Sequence, residues 1–182
     1  MTTVIGLDIS LTKTGIAVVK ADGLVIHSGL IKSKPTGDTP KDEVIRLTGI
    51  CRQIFEQLDK TLGKSKPDLV MIENFAFMAR NTTALTQIAG VSYMIRAELV
   101  KRNWPFILVA PTSLKKFVTG KGNADKNQMM MMIFKGYTFE SLDDNTADSY
   151  ALAVCGLALL GKELHKTIEP QREVLKLLKK QL

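Results

Sequence analysis

The apolar residues of this 182-residue chain gather in short β-rich runs in some stretches and recur at three-to-four spacing in others, and the switches lay out its elements. Residues 3–9, 15–20 and 23–32 are β-rich runs separated by turn-like residues 10–14 and 21–22, links too short to hold crossover helices. They predict an antiparallel meander. A Pro/Gly/Thr loop follows at 33–39. Val44, Leu47, Ile50, Ile54 and Leu58 then recur at helical spacing within 40–63, an amphipathic helix. After Pro67, residues 68–73 (DLVMIE) are almost wholly apolar, as a buried strand parallel to the first would be.

A polar turn at 78–83 leads into a helical stretch over about 82–103 with Ile88, Val91, Ile95 and Leu99 on one stripe. A strand at 106–110 is closed by Pro111, and a helix starts over 111–114 with Thr112 as its N-cap. Residues 119–126 (TGKGNADK) form an exposed basic loop, 125–134 a short helix and 144–161 a long buried one. Residues 170–182 form an amphipathic tail in which Val174, Leu175, Leu178 and Leu182 oppose Arg172, Lys176, Lys179 and Lys180. The order predicts an α/β fold: a five-stranded mixed sheet, three antiparallel strands and then parallel ones, flanked by helices. With no repeat or linker composition to divide it, the chain is expected to form a single domain over residues 1–182.

Charge adds a partner to this picture. The net charge of +7 raises the odds of a polyanion. Cys51 and Cys155 lack metal-ligand spacing and sit in apolar helical contexts, which predicts buried thiols and a reducing, cytoplasmic compartment. The first residues carry Asp8 inside their apolar run without a basic lead, unlike a signal peptide. The run at 150–160 is too short to span a membrane.

Three carboxylates stand where burial makes them costly. Asp8 interrupts a strand, Glu73 ends one, and Asp148 opens the apolar face of a helix that continues Tyr150, Ala151, Leu152, Ala153, Val154. Such groups need a partner or a cation. If the two strands are adjacent and parallel, Asp8 and Glu73 meet at the carboxyl end of the sheet, where open α/β folds place ligands. Hard, oxygen-liganded Mg²⁺ suits them, and two such ions can activate a water and stabilise the leaving oxygen in phosphodiester hydrolysis. Neither strand offers His or Cys, which disfavours zinc, and His27 and His165 assemble no nucleophilic triad. Other roles stay open for single acids: Asp8 could close a strand in a turn, Glu73 could be a surface residue, and Asp143 and Asp144 could cap a helix.

Four pieces, GLDISLTKTGIAVV (6–19), LVMIENFAFMARN (69–81), APTSLKKFVTGKGNADK (110–126) and DDNTADSYALA (143–153), stand in the order and spacing of one known family. The chain resembles the RuvC-type Holliday-junction resolvases of the RNase H-like superfamily, phage-encoded members in particular. The resemblance implies a homodimer in a bacterial or phage-infected cell that binds a four-way DNA junction. It would nick two strands symmetrically with two Mg²⁺ or Mn²⁺ ions per site and no organic cofactor. The family's catalytic, metal-binding acids carry over onto Asp8, Glu73 and Asp148. The fourth ligand departs from the pattern, because the position three residues before Asp148 is Asn145 rather than Asp or His; Asp144 is the expected carboxylate, with Asp143 or Asn145 as fallbacks. Lys115, Lys116, Lys121 and Lys126 match the family's backbone-contacting region, and ammonium groups on a helix start and a Gly-rich loop suit phosphates. Phe77 resembles the aromatic inserted near the strand-exchange point, with Phe75 its competitor because of one extra residue after Glu73, and Arg80 joins the expected DNA contacts.

Different readings share parts of this signal. Actin-like sugar kinases begin with a similar strand–turn–strand but need two lobes. Nucleases acting on flaps, forks or hybrids share the acids, and a binding protein that had lost its chemistry would keep the fold.

Overall fold

The computed structural model describes residues 1–75, 82–141 and 143–182. Strands β1 (Thr3–Asp8), β2 (Lys13–Lys20) and β3 (Val25–Lys32) form the antiparallel meander, and β4 (Leu69–Glu73) and β5 (Phe106–Val109) add in parallel on the far side of β1. The resulting sheet has the order β3-β2-β1-β4-β5. Helix α1 (Pro40–Leu62) links β3 to β4, and α2 (Thr82–Lys101) precedes β5. Then come α3 (Pro111–Thr119), α4 (Lys126–Tyr137), α5 (Asp144–Leu159) and α6 (Glu169–Leu178), the last continued by a 3₁₀ turn over Lys179–Gln181.

Alternation along the strands builds two cores. Ile5, Leu7, Ile16, Val18, Val70 and Ile72 face α1 and α2, while Val4, Ala17, Val19, Leu69 and Met71 face the layer of α3 to α6. Helices therefore cover both faces, as a central parallel pair requires. On the edge strand β5 the backbone groups of Leu108 face away from β4, and Gln181 pairs with both: the Leu108 N–H donates to Gln181 Oε1 at 3.1 Å, and Gln181 Nε2 donates to the Leu108 carbonyl at 3.0 Å.

Several sequence expectations shift locally. Thr112 is not a cap; Pro111 occupies the first helical position of α3, where its missing N–H costs nothing, and Ala110 is the N-cap without a side-chain bond. Val44 is 53% exposed, and Phe55 fills the buried stripe of α1 alongside Leu47, Ile50, Ile54 and Leu58. Leu182 is exposed because the regular part of the tail ends at Leu178; Val174 and Leu178 are buried in the core and Leu175 packs against it. Helix α4 runs on to Tyr137, opened by a reciprocal capping box between Asp125 and Gln128. Cys155 is buried and Cys51 half-buried, both as free thiols. Among the described residues no helix is long and apolar enough to cross a membrane.

Candidate active site

β1 and β4 run side by side with Leu7 opposite Ile72, so Asp8 and Glu73 close the two strands next to each other at the carboxyl edge of the sheet. Both side chains stand on the face that α5 covers: Asp8 follows Val4 and Gly6 in the strand alternation, and Glu73 follows Leu69 and Met71.

Helix α5 lies directly on the strand backbone at this edge. A Cβ on Gly6 would stand 1.9 Å from the Ser149 carbonyl oxygen, and one on Gly15, the β2 partner of Asp8, 2.1 Å from that of Asn145. Gly156 gives the same closeness from the helix side, where a Cβ would stand 2.6 Å from Met71 Cγ and 2.7 Å from Val4 Cγ1. This contact lays the first turns of α5 over the site. Asn145 lies by the Asp8 carboxyl and favours its charged form, and Asp148, one turn further along, lies within electrostatic reach of Asp8 and Glu73.

The two other acids of this turn are already engaged. Asp143 is the N-cap of α5: its Oδ1 accepts from the Asn145 N–H at 3.0 Å, and its Oδ2 takes the Lys13 ammonium at 2.9 Å. Asp144 pairs with Lys126, which holds its carboxyl below the usual range. Asp144 stays close enough to add repulsion at Asp8 and Asp148, while Asn145 favours the charged form of Asp8.

Burial dominates the electrostatics. Asp8, 7% exposed, is pushed up to about 8, first by loss of solvent and then by repulsion from Glu73 beside it. Burial likewise raises Glu73, although the bond from Asp8 and the charges of Lys115 and Lys126 pull it back. Asp148 is pushed up to about 7 by burial and by the charges of Asp8 and Asp144. Asp8 and Glu73 thus titrate as a pair.

Among the described residues no group of three or more His, Cys, Asp or Glu side chains is arranged to hold a metal ion by itself. Asp8, Glu73, Asp144 and Asp148 nonetheless lie near enough to act on one another's charge. A donor set of carboxylates without His or Cys fits a hard, oxygen-liganded divalent ion and does not fit a four-ligand structural zinc.

A pH dependence follows. A carboxyl whose folded pKa lies above its unfolded value binds its proton better in the folded state, so its contribution is full below about 4 and is lost as pH rises through 7 to 8. The metal-free protein is expected to lose thermal stability between pH 5 and pH 8, and Mg²⁺ to restore more at pH 8 than at pH 6. Melting curves with chelator and with Mg²⁺ check this; a midpoint that climbs with pH in chelator contradicts the assigned burial.

The basic residues separate into two groups. Lys115 and Lys126 act on Glu73 and Asp148 and stand beside the acids. Lys116 turns away to Glu173 on α6. Lys121 is exposed in the loop after α3, where Gly120 adopts the left-handed conformation at φ 80° and Thr119 Oγ1 accepts from the Lys121 N–H at 3.1 Å. Phe77 and Arg80 lie outside the described residues. Sequence reasoning missed Gly6 and Gly15 as parts of the site; the signal was a glycine two residues before Asp8, on the same face of its strand.

A mixed sheet with carboxylates ending its paired central strands, and an acid-bearing helix across them, defines the RNase H-like class of fold. Within it the chain belongs to the crossover junction endodeoxyribonuclease RuvC family, whose profile matches residues 4–156. It is 29% identical over 164 residues to the RuvC of Chlorobium phaeovibrioides, covering 87% of this chain and 82% of that one. Against the RuvC of Bifidobacterium longum the identity is 33% over 160 residues, covering 84% and 77%. Among solved structures, Thermus thermophilus RuvC in complex with a Holliday junction substrate superposes with a TM-score of 0.70 at 18% identity, covering 89% of this chain and 98% of that one.

Proposed function

We infer that this chain is a metal-dependent endonuclease that resolves four-way DNA junctions by cutting phosphodiester bonds. Membership of the RuvC family gives the reaction class. The observation that carries the reading onto this chain is the crowding of Asp8, Glu73 and Asp148, from two strands and a helix, into one buried and mutually repelling cluster.

In this reading Asp8, Glu73 and Asp148 hold two Mg²⁺ or Mn²⁺ ions, with Asn145 orienting Asp8 and Asp144 completing the set. The ions supply an activated water and charge compensation for the leaving oxygen. The protein's own groups do the rest. Gly6 and Gly15 let α5 exclude bulk water from one side of the acids, which strengthens every charge interaction inside. Lys115 and Lys126 offset the surplus negative charge and stand where a backbone phosphate would approach, with Lys121 on the exposed loop beyond them. Contacts of this kind give salt-dependent affinity without sequence readout. Phe77 and Arg80 are proposed DNA contacts on the segment after Glu73.

Symmetric cutting of two strands calls for two sites, and a homodimer is proposed; the exposed Tyr93 and Val100 on α2 offer an apolar face for it. The chain is proposed to act as a single domain in the cytoplasm of a bacterial or phage-infected cell. Purified protein in Mg²⁺ is expected to cut a synthetic four-way junction at symmetric positions and to leave linear duplex intact, with Y-shaped DNA cut at least about tenfold more slowly, an energy difference near 1.4 kcal/mol. Gel assays on the three substrates decide it, and equal cutting of all three removes the junction preference.

A further inference from the structure

The guanidinium of Arg96 sits where stability alone would not put it. Arg96 lies on α2, half-buried, and its Nε is shut off from solvent without a hydrogen-bond partner among the described residues. A buried donor left unpaired is a cost to folding, and an apolar side chain of similar length would fill the space without it.

What Arg96 does hold is the chain leaving β4. Its Nη2 donates to Asn74 Oδ1 at 3.4 Å, and its Cζ stands 5.7 Å from the centre of the Phe75 ring and 4.8 Å from that of Tyr93, the geometry of cations over aromatic faces. The Asn74 backbone N–H is fixed independently, donating to the Val109 carbonyl at 2.8 Å. Asn74 and Phe75 are the two residues directly after Glu73, so the grip falls immediately beyond a proposed metal ligand.

We propose that Arg96 is a positioning residue that fixes the exit of β4 through Asn74 and Phe75 and so holds the Glu73 carboxylate in place against Asp8 and Asp148. The inference rests on the reading of this edge as the nuclease centre. It completes a division of labour across the sheet: α5 brings acids to one face of the edge, and α2, from the opposite layer, braces the strand that carries Glu73. The planar fork suits this task, because one side chain bonds a neighbouring amide while lying over two rings.

The test uses the full chain on a synthetic four-way junction at saturating Mg²⁺. Arg96→Met is expected to lower kcat by roughly ten- to a hundredfold, the scale of a small displacement of a catalytic group. KM should stay within about twofold, as expected when transition-state rather than uniform binding is lost, and Tm should hold or rise. Arg96→Lys keeps a cation over the rings without the fork and should give an intermediate kcat. Asn74→Ala should lower kcat as well, and adding it to Arg96→Met should lower kcat no further.

Three results overturn the proposal: a kcat for Arg96→Met equal to wild type; a Tm that falls in step with the rate; or a raised KM with a shallower salt dependence, the mark of a direct phosphate contact. Wild-type cleavage is the separate control. If wild type leaves the junction uncut, the nuclease reading fails and this inference with it. If wild type cuts and Arg96→Met cuts equally fast, only the positioning role falls.

Discussion

Asp8→Asn is expected to reduce junction cleavage by on the order of a thousandfold or more while raising the melting temperature of the metal-free protein at pH 8. The two effects have one cause. Asp8 is nearly sealed from solvent beside Glu73 and Asp148, so its charge costs folding energy unless a cation compensates it. An amide removes that charge and can donate to the Glu73 carboxylate beside it. The same change removes a ligand from ions that contribute several kcal/mol to the transition state, at about 1.4 kcal/mol for each tenfold in rate. Junction binding in chelator should survive, because the lysines are untouched. Cleavage assays, mobility shifts and melting curves together check this. An active Asp8→Asn enzyme would mean that the metal site has been misplaced; a variant less stable than wild type in chelator at pH 8 would mean that Asp8 is not buried as a charge.

Gly6→Ala should also be damaging to activity, though less so, and far worse for stability. Its methyl group would meet the backbone of α5 at 1.9 Å from the Ser149 carbonyl oxygen and 2.8 Å from the Ala153 nitrogen, and no side-chain rotation relieves a clash between backbones. The helix must lift. Overpacking of this kind costs about 1–3 kcal/mol, and at about 2–4 °C per kcal/mol for a chain of this size the midpoint should fall by several degrees. A lift of about 1 Å carries Asn145 and Asp148 off Asp8, and misplacement on that scale costs about a hundredfold in rate. Gly136→Ala is the matched control. A Cβ there meets nothing within 4 Å, and replacing a helical glycine in α4 should hold or raise Tm. Melting and cleavage measurements on the two variants decide it. If Gly6→Ala behaves like Gly136→Ala, the close seating of α5 is not what assembles the site.

Periodicity carried most of the fold. The β-rich runs of β1 to β3, the almost wholly apolar β4 and the stripe of α1 were readable because burial on one or both faces leaves its mark on residue type and spacing. Where one residue's exposure turned on a neighbour in space, the pattern failed. Val44 fits the helical stripe but sits on an open stretch of α1 that Phe55 does not share, and Thr112 has the chemistry of a cap but loses the position to the geometry of Pro111. The acids stood out because charge inside apolar runs is conspicuous. Their partners did not. That Asp143 takes Lys13, that Asp144 takes Lys126, and that this leaves Asn145 against Asp8, depends on which helix start meets which turn across the sheet. Gly15 was equally silent and Gly6 offered only its place two residues before Asp8, because a glycine's contribution is an absent methyl group and shows fully only when the opposing backbone is known.

The pairing of Gln181 with both backbone groups of Leu108 bears on how the protein behaves in a crowded solution rather than on how firmly it is folded. β5 is a short apolar edge strand, and such an edge invites pairing by another extended chain. The Gln181 amide presents one donor and one acceptor to the outward N–H and carbonyl of Leu108, and so stands in for a neighbouring strand over a single residue. Removing it would cost two exposed hydrogen bonds, a small loss to the monomer, but would reopen a template for aggregation. The 3₁₀ turn over Lys179–Gln181 thereby acts as a guard on solubility, and the sheet is left to associate through its helical faces instead of its β5 edge.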